Sequence, residues 1–193
     1  MPGAPTRTLI VAAGVLVAAA APRAARADVD FGEHDIRTIF YISKSDDRNR
    51  VDYGIHLDAT CQPVGPTPLY AYWHRFEPGQ PTIGDLNGMD ERAYGITRQH
   101  VRTAAPNGVW LEMHLRGFPE QRFLILVQRN GAGQCLARAM IPIESRDAYL
   151  DHIHVTLGFV GVDRVTLHGR DTRNGDELTE TRRPPGGMSM FGR

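Results

Sequence analysis

The residues whose types and spacing suit chemistry begin with the pair His152-x-His154. In a β-strand, positions two apart project from the same face, so both imidazoles stand side by side. Strand-borne zinc sites use this spacing, with a third ligand from a neighbouring strand. His114 and His168 are candidates for that ligand, and Asp151 becomes one if the backbone bulges. Spacing alone matches none of them. Two histidines on the solvent side of an amphipathic strand are therefore the plainer expectation. No cofactor is assigned, and zinc at His152 and His154 is the alternative.

Three further groups have usable chemistry. The run from Ser43 to Arg50 packs charge of both signs into one turn and includes Lys44 and Asn49. It suits a sugar, a peptide terminus or calcium, although Asp46, Asp47 and Asn49 lack the spacing and closing Glu of a calcium loop. A solvated hairpin tip explains it as well. Tyr70 and Tyr72 share one strand face, Trp73 takes the other, and Tyr94 stands apart. Tyrosines along an exposed face suit glycan or peptide contact, and cross-strand packing is the competing reading. Finally, Cys61 and Cys135 are the only cysteines. In an exported chain an even count points to a bridge, here closing a loop of about 75 residues and worth about 4 kcal/mol. Two buried free thiols are the other possibility.

The elements that must position these groups are short strands. Val51, Tyr53, Ile55 and Leu57 alternate with polar or small residues; so do Val109, Leu111, Met113 and Leu115, and Ile153, Val155, Leu157 and Phe159. This period of two belongs to half-buried strands. The same reading fits 36–43, 68–76, 94–102, 122–129, 134–143, 162–169 and 177–182. Phe123 to Val127 is apolar on both faces, as a covered central strand would be. Asn107-Gly108, Asn130-Gly131 and Asn174-Gly175 separate such runs and are strong hairpin turns. The stretch 77–92 reads as one long irregular loop with a short helical turn, and 144–149 as another short helical turn. The expected fold is all-β and mostly antiparallel, a sandwich or barrel-like meander of about eight to ten strands.

The segment FYISKSDDRNRVDYGIHLD, Phe40 to Asp58, resembles the opening of an uncharacterised exported bacterial family, domain of unknown function family 4833. Pro68 to Trp73, Ala93-Tyr94-Gly95-Ile96 and Val165 to Gly169 carry the resemblance on, from about Ile39 to about Glu180. It implies a secreted or periplasmic β-domain with no activity, substrate or cofactor attached. It also marks Lys44, Asn49, Tyr53, Tyr72, Trp73 and Tyr94 as the place of any shared site. His152 and His154 are not part of that pattern.

Residues 1–27 read as a cleavable signal peptide. Arg7 precedes an apolar run from Leu9 to Ala21, and Ala25-Arg26-Ala27 ends in a small-x-small exit before Asp28. The run falls short of the ~20 residues that span a bilayer. What remains is one β-domain over 28–182 and a tail over 183–193, rich in Pro and Gly and expected to be disordered. The mature chain holds 19 basic and 22 acidic residues, a net charge of −3. Such a surface lacks the clustered positive charge that nucleic acid requires. Phosphate-loop, nucleophile-elbow and His-Glu-x-x-His motifs are missing. The sequence thus reads as a periplasmic or secreted, non-enzymatic binding or envelope-associated module, with a metal-dependent enzyme built on His152 and His154 as the alternative. Its expected partners are a glycan, a peptide or another envelope protein.

Overall fold

The computed structural model describes residues 38–45, 48–77, 80–105, 108–159 and 161–183. The expected signal peptide and residues 184–193 of the expected tail lie outside the described residues. Eleven strands and one helix follow in order: β1 (Thr38–Lys44), β2 (Arg50–Ile55), β3 (Leu69–Glu77), β4 (Gln80–Asp85), α1 (Gly88–Tyr94), β5 (Ile96–Ala105), β6 (Gly108–Leu115), β7 (Phe118–Arg129), β8 (Cys135–Ile143), β9 (Arg146–Gly158), β10 (Gly161–Asp171) and β11 (Glu177–Arg182).

Side-chain alternation explains the sheet. In β6 the apolar positions Val109, Leu111, Met113 and Leu115 are buried, and each residue between them is half-exposed. Tyr53 and Val51 of β2, and Ile153 and Val155 of β9, obey the same rule. Inside, Phe40 stacks on Tyr53 at 4.6 Å and on Phe123 at 5.4 Å between ring centres. All three rings are fully buried, and each large side chain so placed contributes about 1.5–3 kcal/mol. On β7, Leu126 is buried as well as Phe123, Ile125 and Val127, so this strand is covered on both faces there.

The strand order is β4-β3-β2-β1-β9-β8-β7-β6-β5, with β10 and then β11 added on the other edge of β9. β9 is the branch point. Its first half pairs antiparallel with β8, and its second half pairs parallel with β1. The sheet curls until β5 returns to β3. There the Gln99 side-chain amide accepts from Leu69 N–H at 2.8 Å and donates to Leu69 C=O at 3.1 Å, standing in for a strand. At the other end of β2, α1 packs inward. Asn87 caps it, accepting from the Met89 and Asp90 amides, and the buried Tyr53 hydroxyl donates to Tyr94 C=O at 2.7 Å.

Cys61 and Cys135 form the bridge, with Cα atoms 5.3 Å apart. It ties the loop after β2 to the start of β8. Arg129 reinforces this join, donating to Ala59 C=O and Gly133 C=O.

Three local expectations are corrected. The stretch 77–92 is not one loop: it holds β4 and α1, and Tyr94 ends the helix instead of opening a strand. Pro81 is tolerated because β4 lies on the sheet edge, where its missing N–H leaves no ladder bond unmade. Nor is 144–149 helical. Glu144 and Ser145 both take positive φ, 50° and 62°, and turn the chain straight into β9. The all-β, mostly antiparallel fold is as expected: the described residues hold eleven strands in one curled sheet, with β1 and β9 paired in parallel.

Candidate functional site

The outer face of five neighbouring strands carries a continuous stack of planar side chains. On β3, His74 lies 4.1 Å from the Phe76 ring. The Arg50 guanidinium of β2 is sandwiched between Phe76 at 5.3 Å and Tyr41 of β1 at 4.5 Å. Tyr41 stacks on His152 of β9 at 4.9 Å, only 4° from parallel. His152 stacks in turn on His168 of β10 at 4.2 Å and 10°. The His168 Nδ1 then lies 3.4 Å from the Thr179 hydroxyl of β11.

Register builds this row. Tyr41 stands opposite Asp52 on one side and His152 on the other, and His152 stands opposite His168. A bulge completes it. Between Leu150 and His152 the β9 register slips by one residue against β10, so Asp151 and His152 both leave the core face. Gly169 makes room for that slip: a Cβ there would lie 2.4 Å from Tyr149 C=O.

Charges beneath and beside the stack are paired. Asp52 is 1 % exposed although its strand face points outward. It takes Arg50 Nε at 2.8 Å and a hydrogen bond from His74 Nδ1 at 3.0 Å. Arg170 lies 3.7 Å from Asp151 and 3.3 Å from Glu177. Ser43 Oγ and His154 Nδ1 are 3.0 Å apart. Burial, then the neighbouring His168, pushes the His152 imidazole down to about 4. Burial also lowers His168 and raises the Tyr41 phenol. Near neutral pH the two stacked imidazoles are uncharged, each with one donor and one acceptor nitrogen.

Stacking decides what this face can offer. Each inner ring has a planar neighbour on both sides, so its faces are covered and its edge meets the solvent. The edges present Tyr41 O–H and the ring nitrogens of His152 and His168. His168 lies flat against His152, 10° from parallel, and His154 turns its Nδ1 to Ser43 Oγ at 3.0 Å, whereas zinc needs lone pairs converging on one point at about 2.0–2.1 Å. Among the described residues, no three of His, Cys, Asp and Glu are placed to hold a metal ion. His114, one proposed third ligand, sits on β6 against Glu112 at 2.9 Å.

The other expected site residues divide between the two faces. Tyr53, Trp73 and Tyr94 converge, but in the core: they are 0 %, 6 % and 5 % exposed. Trp73 Nε1 donates to Asp90 at 2.6 Å, and its ring meets Tyr94 edge-on. Lys44 ends β1 on the same inner side, its ammonium 5.5 Å from the Trp73 ring centre. This group seats α1 on the sheet. Asn49 accepts from Phe76 N–H at 3.0 Å and so fixes the neighbouring β3 end. Tyr72 does not join the buried group. It points outward, beside Asp52 in the register, with its hydroxyl 3.4 Å from Thr38. A groove of about 460 Å³ opens beside the disulfide, but its charged lining residue, Arg129, is already spent on backbone carbonyls.

Tyr41, Asp52, His74 and Phe76 are missing from the sequence-derived sites, and Arg50 entered them only as the end of the charged turn 43–50. Each occupies an outward position of an alternating strand, which is the signal the sequence carries. Their alignment depends on cross-strand register.

The model of the domain of unknown function DUF4833 matches residues 40–181. The chain belongs to this family. The DUF4833 match takes in the whole stack, from Tyr41 to His168, together with both cysteines and the α1 contacts. No curated protein and no solved structure matches this DUF4833 chain.

Proposed function

We propose that the protein is an exported, non-enzymatic binding domain whose contact surface is the outer face of β3, β2, β1, β9 and β10. One observation carries this reading: six stacked planar groups, His74, Phe76, Arg50, Tyr41, His152 and His168, lie on a half-exposed sheet face with their charges balanced. A surface that only had to stay soluble has no need of such order. Export is supported by the N-terminal pattern and by the Cys61–Cys135 bridge, which persists in oxidising compartments. Among the described residues no helix is long and apolar enough to cross a membrane.

Two experiments test the reading. The protein recovered from periplasm or culture fluid should begin at Asp28; a cytoplasmic product retaining Met1 contradicts export. The mature protein should sediment with envelopes of the bacterium that makes it, and Tyr41→Ala should abolish this while a circular-dichroism melt confirms folding. Equal sedimentation of the variant contradicts the assigned surface.

A metal-dependent enzyme at His152 and His154 is the second reading, favoured by the bulge that turns Asp151 to their face. Purified protein would then hold about one equivalent of zinc, copper or iron per chain. Less than about a tenth of an equivalent rejects it.

A further inference from the structure

Resting on the binding reading above, we infer that the stacked face takes a hydroxyl-rich, uncharged glycan chain laid across the strands. Three features select that chemistry. The first is charge. Arg50 is paired with Asp52, and Arg170 with Asp151 and Glu177, so neither of these two arginines beside the stack stands ready for a phosphate or sulfate polymer. The second is the order of hydrogen-bonding groups. The Tyr41 hydroxyl and the neutral imidazoles of His152 and His168 each both donate and accept, and a sugar hydroxyl does the same. The third is direction. The groups step from strand to strand over five strands, a span of about 19 Å at ~4.8 Å per strand. A peptide that binds by extending a sheet gains its affinity at a strand edge, through main-chain bonds. Here the polar atoms stand on the face of the sheet, where an extended peptide has no ladder to join.

Ring edges, not ring faces, make the contact. That distinction gives the inference its own variant. His152→Phe keeps a planar ring between Tyr41 and His168 but removes both nitrogens. Tyr41→Phe likewise keeps the stack and removes the hydroxyl.

The test uses the mature protein and isolated envelopes in three portions: untreated, treated with periodate to cleave vicinal diols, and digested with proteinase K before washing. The expected result is sedimentation with untreated and proteinase-treated envelopes and its loss after periodate. His152→Phe and Tyr41→Phe should each weaken sedimentation about tenfold, the loss of one or two hydrogen bonds. Binding that survives periodate but is lost to proteinase K overturns the glycan and points to an envelope protein. Undiminished binding by both Phe variants overturns the role of the ring edges. Failure to sediment with untreated envelopes is a different failure, that of the binding reading itself.

Discussion

His152 resists protonation because its ring is partly buried and other basic groups already stand beside it. His168 covers one ring face, Tyr41 covers the other, and His154 and the Arg50 guanidinium stand nearby; Asp151 works in the opposite direction. The unfolded chain takes up this proton near the ordinary histidine value of about 6.5, and the folded chain only near 4. Acid therefore favours the unfolded state across that window. The resulting stability is complete above about pH 6.5 and is lost as the pH falls through 4. His152→Phe should flatten the fall in melting temperature between pH 7.5 and 4.5; equal slopes for the two proteins contradict this. Tyr53 makes a separate residue-scale case. Its hydroxyl is buried and donates to Tyr94 C=O, so Tyr53→Phe should cost about 1–2 kcal/mol in urea denaturation, with α1 loosened first in hydrogen exchange. An unchanged midpoint contradicts that role.

Among the elements, β9 does most to organise the molecule. It joins β8 and β1 along one edge and β10 along the other, and its bulge at Asp151 brings His152 into line with Tyr41. Much of this strand was legible: Ile153, Val155 and Leu157 alternate as any half-buried strand does. Its first half was not, because Glu144-Ser145 makes the tight turn without Asn-Gly. β4 was hidden for a similar reason, since Pro81 and Gly84 imitate a loop and are harmless on an edge. The stack could not be read at all. Tyr41 and His152 become neighbours only through a parallel pairing between segments more than a hundred residues apart, and no local pattern specifies that register. By contrast, the pairing of Cys61 with Cys135 was legible, because only two cysteines exist. The seam between β3 and β5 is a further element-scale feature. Gln99→Leu should leave Leu69 N–H and C=O without their partners and cost about 1–3 kcal/mol, read as a lower urea midpoint. A neutral result contradicts the amide's role as a surrogate strand.

At the scale of the whole molecule, a curled sheet holds its apolar side inward around Phe40, Tyr53 and Phe123 and turns an ordered polar side outward. The bridge holds the far end of this frame. Cys61→Ser with Cys135→Ser should lower the unfolding free energy by about 4 kcal/mol while leaving the stack, to which neither cysteine belongs, able to bind. The most direct measurement is a map of backbone amide shifts when solubilised envelope glycan is added to isotopically labelled mature protein. Shifts should gather at Tyr41, Arg50, His152 and His168. A map centred instead on Thr60, Gln62, Gly108 and Arg129 would move the binding surface to the groove beside the disulfide and contradict the account.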